Sequence, residues 1–358
     1  MNVCIFGEHS AVVPLVERLH NKYKTSLFVD TIEVCRSIEN NVGCEVIYNP
    51  VELERHSVFL ICVEVPYSPL EYSLNFNLLL KYSKMVKNYA APDSVVVVGS
   101  AVPVGTTRKL FEDSDFYVLF SSTLLNVVDV DEYPLIIGGI DDRSEVAGMK
   151  FLNTLFGAVL RTGNVEVAEA AILFKNTNAL VQKAFLNEFA EYCESIDLDP
   201  YHVIEYDKCN NRYSPWIGHK SNEYSSYYLL NSDEWPILSA ATRQIESRPR
   251  HMYDKIVSRF CGNNKYDELY KKSFLVVGLG SEVGSLEVDN SPALQIIKYL
   301  ELEGALVVRF DLFIDRYSTM PDMFHNSGAP RFDGIVVLLP YLVSTWEKFD
   351  NVLFMCRH

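Results

Sequence analysis

Residues Asn2-Val3-Cys4-Ile5-Phe6-Gly7-Glu8-His9-Ser10-Ala11-Val12-Val13-Pro14-Leu15-Val16 open the chain with a short apolar run, a glycine, and then apolar residues at a new spacing. The run from Asn2 to Gly7 reads as a buried strand. Val12, Leu15, Val16 and Leu19 recur at three- and four-residue intervals, the spacing of one helix face. Further strand-like runs follow at Ser26 to Asp30, Val58 to Val63, Ser94 to Gly99 and Leu135 to Gly139. Strands alternating with helical segments predict a parallel sheet wrapped on both faces, the doubly wound α/β class.

The rhythm changes near Val165. From there to about Ile196 no Pro or Gly interrupts the chain, and Ala168, Ile172, Leu180, Ala184 and Phe189 mark one long helix. Residues 200 to 234, rich in Tyr, Asn and Ser, read as loop. Helical spacing returns from about Ile237 to Phe260, and Gly262-Asn263-Asn264-Lys265 reads as a linker. The strand–helix rhythm then restarts. Phe274 to Gly278 is a strand, Pro292 to Leu302 a helix, and Ala305 to Phe310, Ile335 to Leu339 and Val352 to Met355 are strands. The expected organisation is a Rossmann-like domain over 1–164, a central helical region over 165–262, and a smaller Rossmann-like domain over 263–358.

With a formal charge of −15, the chain lacks the clustered Lys and Arg that a phosphate backbone or an anionic membrane attracts. Neither nucleic acid nor membrane is expected as a partner. No run approaches the 18 or more apolar residues of a spanning helix, and the N-terminus enters a strand without the pattern of a signal peptide. The eight cysteines (Cys4, Cys35, Cys44, Cys62, Cys193, Cys209, Cys261 and Cys356) form no C-x-x-C pair. That usage fits a reducing compartment, so a soluble intracellular protein is expected, in the cytoplasm with the nucleus as the alternative. The eight histidines show no ligand spacing either, and no metal is expected.

Five short motifs occur in order along the chain. They are Gly7 to Leu15; Ser100-Ala101-Val102-Pro103-Val104-Gly105-Thr106-Thr107; Ala168-Glu169 with Asn176 and Asn187-Glu188; Gly218-His219 before Tyr227-Tyr228-Leu229; and Gly278 to Pro292. Together they resemble the nucleotide-sugar 6-dehydrogenases, of the UDP-glucose/GDP-mannose dehydrogenase kind. The matching family motifs are G-x-G-x-x-G-x-P-L, S-T-V-P-x-G-T-T, A-E-x-x-K-x-x-x-N, G-H-C-x-P-x-D-P-Y-Y-L and G-L-A-F-K-x-x-x-x-D-x-R-x-S-P. The resemblance spans essentially the whole chain. It implies two Rossmann-like domains, an NAD cofactor, oxidation of a sugar alcohol to the acid through a cysteine thioester, and a dimer paired through the long helix.

Position by position, the residues such chemistry requires have changed. The dinucleotide turn wants three glycines, for a tight turn, for pyrophosphate approach and for helix–strand packing. Here Gly7 is kept, while His9 and Val12 stand at the other two positions, where their Cβ atoms are expected to push phosphates outward. Glu8 adds negative charge beside them. Asp30 matches the ribose-binding acid, although a strand-ending, turn-capping role is the favoured reading. Ser100 belongs to the same remnant.

The residue after Gly218-His219, which the resemblance makes the nucleophilic cysteine, is Lys220. The helix lysine that stabilises a developing oxyanion falls at Ile172. Its companion Asn176 is retained, and Lys175 reads as a solvated residue. The carboxylate that positions water falls at Ser122. The motif lysine and arginine of the last segment are Glu282 and Asp289, two anions where a nucleotide diphosphate needs cations.

A member of the family without catalysis or bound cofactor is therefore expected. It would self-associate as a homodimer through the long helix and act on an unidentified protein partner. Two rivals stand beside it: a divergent NAD-dependent dehydrogenase using Cys209 or another group, and a nucleotide or sugar sensor without turnover.

Overall fold

The computed structural model describes residues 1–7, 9–30, 43–63, 65, 67–68, 73–121, 134–204, 206, 235–261, 269–280, 288, 291–312, 314, 332–339 and 351–355. Its two compact units divide inside one long helix, after Thr177.

The first unit opens with β1 (Asn2–Gly7), α1 (His9–His20), β2 (Lys24–Phe28), β3 (Glu45–Ile47) and β4 (Val58–Cys62). A short ribbon, β5 (Tyr67–Ser68) and β6 (Ser73–Leu74), precedes α2 (Asn77–Tyr89) and β7 (Val95–Val98). Then come α3 (Thr106–Phe111), β8 (Tyr117–Ser121), β9 (Leu135–Gly139), α4 (Asp142–Leu152) and β10 (Val159–Arg161). The sheet order is β10-β9-β8-β7-β4-β1-β2-β3. The order reverses between β1 and β4, which makes their C-terminal ends the switch point where doubly wound sheets hold ligands.

Alternation along β1 explains why both faces are covered. Val3 and Ile5 belong to a core with Val12, Leu15, Val16 and Leu19 of α1 and Phe151 and Leu152 of α4. Cys4 and Phe6 point to the other face, which Leu79, Tyr82 and Val86 of α2, Phe111 of α3, and Val165, Ala168 and Ile172 cover. One departure from the expected parallel sheet is the β8–β9 pair, which runs antiparallel. Such a pairing needs no helical crossover between its strands.

The long helix, α5 (Val165–Ser195), agrees with the expectation to one residue. In the second unit α6 (Pro200–Ile204) occupies the start of the segment read as loop. Residues 207–234 of that segment lie outside the described residues. Next come α7 (Pro236–Cys261), β11 (Ser273–Val277), α8 (Pro292–Leu302), β12 (Leu306–Phe310), β13 (Gly334–Val337) and β14 (Val352–Phe354). These four strands form a separate, wholly parallel sheet in the order β12-β11-β13-β14. Met252, Ile256 and Val257 of α7 and Ile296, Ile297 and Leu300 of α8 cover one of its faces. The fold class is thus two Rossmann-like sheets with a long helix between them in sequence.

Candidate functional site

At the switch point Gly7 closes β1 opposite Cys62 of β4. A Cβ on Gly7 would lie 2.5 Å from the Cys62 carbonyl oxygen and 2.5 Å from Val12 Cγ1. The glycine is therefore required by packing within the chain. Val12 is wholly buried among the α1-side core. This corrects the expectation that its Cβ pushes phosphates outward: the side chain points into the core and fills the space that glycine leaves. Replacing Val12 with glycine would remove core volume rather than open a phosphate path. His9 lies in the first turn of α1, and its side chain is outside the described residues, as is Glu8.

Asp30 stands two residues past β2. Its Oδ1 accepts a hydrogen bond from the Tyr82 hydroxyl at 3.1 Å and pairs with Lys81 Nζ at 2.7 Å. The favoured reading of Asp30 as a strand-end residue gains two specific partners here, both on α2. Ser100 is buried at the end of β7. Its Oγ accepts the Val63 N–H at 3.0 Å and donates to the Ile61 carbonyl at 3.4 Å, tying β7 to β4. Its hydroxyl is thus engaged within the sheet.

A buried carboxylate joins two of the five motifs in the first unit. Gly105 precedes α3 with a φ of 89°, a left-handed conformation that glycine adopts without strain. Its N–H donates to Glu169 Oε2 at 2.5 Å, and the Thr107 N–H donates to Glu169 Oε1 at 2.7 Å. Glu169 is fully buried, and burial pushes its carboxyl above the ordinary range against the lowering effect of those amides. Beside it, Arg108 makes a two-pronged pair with Glu166 at 2.6 and 3.2 Å and donates to the Ile140 carbonyl at 2.9 Å. The Ser100–Thr107 and Ala168–Glu169 motifs, more than sixty residues apart, therefore meet as one helix cap.

Ile172, where the resemblance implies a lysine, is 6% exposed within the α2-side core. Asn176, one turn on, is buried as well, while Lys175 is exposed. Ser122, Cys209, Lys220, Glu282 and Asp289 lie outside the described residues. The described cysteines are free thiols. Burial pushes the Cys62 thiol up to about 12 and that of Cys44 up to about 11, far from the range of a nucleophile at neutral pH. No group of three His, Cys, Asp or Glu side chains is placed to hold a metal among the described residues. None of the described helices is long and apolar enough to cross a membrane.

In the second unit Asp311, just after β12, plays a part like that of Glu169. Its Oδ2 accepts the Leu279 N–H at 2.7 Å and the Gly280 N–H at 3.3 Å, in the turn that leaves β11. The amides opening the Gly278–Pro292 motif thus already hold a carboxylate of the chain itself.

No family model matches the sequence. A UDP-N-acetyl-D-mannosamine dehydrogenase of Methanocaldococcus jannaschii is 25% identical over 320 residues, 83% of this chain and 71% of the relative. A UDP-glucose 6-dehydrogenase of Rickettsia bellii is 24% identical over 335 residues, covering 86% of this chain and 74% of its own length. Among solved structures, a UDP-D-ManNAc dehydrogenase from Pyrococcus horikoshii superposes with a TM-score of 0.82 at 20% identity, over 99% of this chain and 94% of that one. A UDP-glucose dehydrogenase from Pyrobaculum islandicum gives a TM-score of 0.76 at 16% identity, over 99% and 93%.

Proposed function

Because the chain belongs to the nucleotide-sugar dehydrogenase family, its fold carries an expectation of catalysis, and we propose that it keeps the fold without the redox chemistry and works through protein contact. The observation that carries this reading is Ile172. Where the resemblance implies a cation stabilising charge on the substrate oxygen, a buried aliphatic side chain belongs to the core of the first unit. Three features of the cofactor end support the same reading. Val12 is committed to packing, Asp30 is held by Lys81 and Tyr82, and Ser100 bridges two strands. All three are engaged within the chain, and the proposal includes no bound cofactor. A reducing, cytoplasmic setting is part of the proposal, on the scattered spacing of the eight cysteines.

Self-association through α5 is part of the proposal. In its second half Phe185 is 63% and Tyr192 58% exposed, with half-buried Phe189 between them and ring contacts linking all three. Spacings of four and three residues put them on one helix face, an apolar stripe of the kind a two-fold pairing buries. Sedimentation of the intact chain is expected to show a dimer. A monomer at tens of micromolar (an order-of-magnitude threshold for a stable interface) would remove this part.

The function itself is tested by NADH production with UDP-N-acetyl-D-mannosamine, UDP-glucose and GDP-mannose. The expected rate is that of a heat-killed control. Turnover above it would overturn the proposal, and loss of that turnover in Cys209→Ser would then identify the nucleophile of the rival, divergent dehydrogenase.

A further inference from the structure

A chain of polar contacts lies across β2, β3 and the turn that enters β4, in the first unit. His56 is buried, with Nδ1 3.0 Å from the Glu52 carbonyl oxygen and Nε2 3.0 Å from Ser26 Oγ. Ser26, also buried, lies 3.2 Å from Glu45 Oε2. Glu45 Oε1 pairs with Arg55 at 2.7 Å. Proton counting makes this arrangement informative. A carbonyl oxygen only accepts, so Nδ1 must carry a proton. With neutral His56, Nε2 is bare, and the single Ser26 hydroxyl proton faces two acceptors, Nε2 and the Glu45 carboxylate. With protonated His56, Nε2–H donates to Ser26 Oγ and the hydroxyl donates onward to Glu45, so both contacts are made at once.

We infer that His56, Ser26 and Glu45 form a proton-operated latch, in which uptake of one proton at Nε2 commits the Ser26 hydroxyl to Glu45 and joins β2, β3 and the turn before β4 by an unbroken run of hydrogen bonds. The proton comes from solvent and no covalent bond changes. Among the described residues, the charged and titratable groups around the run are Arg55 and Glu52 on the turn, Glu45 and Cys44 at β3, Lys24 on β2 and Cys4 on β1. Burial, followed by the Arg55 guanidinium, holds His56 below its ordinary value, while the Glu52 and Leu53 carbonyls and the Glu45 charge pull the other way. Burial is the largest single influence on Glu45 and raises it, but the bond to Arg55, the Arg55 charge, the Ser26 contact and Lys24 together outweigh it and leave the carboxyl below the usual range.

The direction of the pH effect follows. An unfolded chain takes up the histidine proton near 6.5, before the folded chain does. Stability from neutral His56 is therefore complete above that pH and is lost as pH falls from 6.5 towards the folded midpoint. The latch closes as pH falls through the folded midpoint of His56, which lies below 6.5.

Imidazole nitrogen shifts of the full chain, followed by NMR from neutral to acidic pH, test the latch. The expected neutral form is the Nδ1–H tautomer, with a midpoint below 6.5. Glu45→Gln is expected to lower that midpoint further, and in a Ser26→Ala background the same change should move it by half as much or less. An Nε2–H tautomer at neutral pH would overturn the latch without recourse to any variant. Equal Glu45→Gln shifts with and without Ser26 would also overturn it, because the coupling would then be a field through space and the hydroxyl would carry none of it.

Discussion

At the junction of α3 with α5, Gly105, Thr107 and Glu169 of two family-like motifs are bonded to one another. At the turn after β1, where the family's ligand would supply the partners, the motif is reduced to one glycine. Gly105 and Thr107 donate to Glu169, and Arg108 holds Glu166. By contrast, Gly7 persists where the Cys62 carbonyl and Val12 leave no room for a Cβ, while Val12 has become core. The difference teaches that a motif residue is tied into the chain's own bonding where it also holds the fold together; on the proposed reading, that is where a motif outlasts its chemistry. Asp311 in the second unit, seated on the Leu279 and Gly280 amides, sides with the first kind of junction.

The comparison is most exposed at Glu169. Glu169→Ala strands two amides that now meet a carboxylate, and a loss of about 3–5 kcal/mol in unfolding free energy is expected. Glu169→Gln keeps an acceptor and should cost less than half of that. Denaturant unfolding measures both, and a near-neutral Glu169→Ala would show that the cap is incidental. Ile172→Lys is the complementary change, since it restores the family's residue type. The account expects about 3 kcal/mol of destabilisation from a lysine set in an apolar core, and no gain in turnover. A stable, active Ile172→Lys would reverse the comparison.

Val12→Gly should cost about 2–3 kcal/mol through lost packing and helix propensity. Combined with His9→Gly, it should not create saturable stabilisation by NAD in a thermal-shift titration. Smallest of all is Lys81→Ala. Its pair with Asp30 is partly exposed, so less than about 1 kcal/mol is expected. A larger loss would mean that Asp30 is more firmly committed to α2 than its exposure indicates.

Much of this was legible in the residues. The uninterrupted apolar runs of β1 and β4 and the Gly- and Pro-free span of α5 announced themselves by pattern alone. β3 and β10, three residues each, are too short to carry a periodic signal. The spacing of Val12 with Leu15, Val16 and Leu19 already marked it as core, and alignment to a phosphate motif drew the reading away from that. Glu169 was visible as a motif letter, but its partners lie 62 and 64 residues upstream, a pairing that only tertiary structure brings together. The His56 run shares that origin, since Ser26 is 30 residues from the histidine and on another strand.

The central claim, a nucleotide-sugar dehydrogenase fold maintained without its cofactor, is met most directly by titrating the intact chain with NAD and NADH while following its thermal unfolding. A ligand bound with a micromolar Kd and present at about 1 mM would stabilise the native state by about 4 kcal/mol, a shift too large to miss. The account predicts a melting temperature that does not respond in a saturable way to either nucleotide. A saturable rise that yields a micromolar Kd would contradict it.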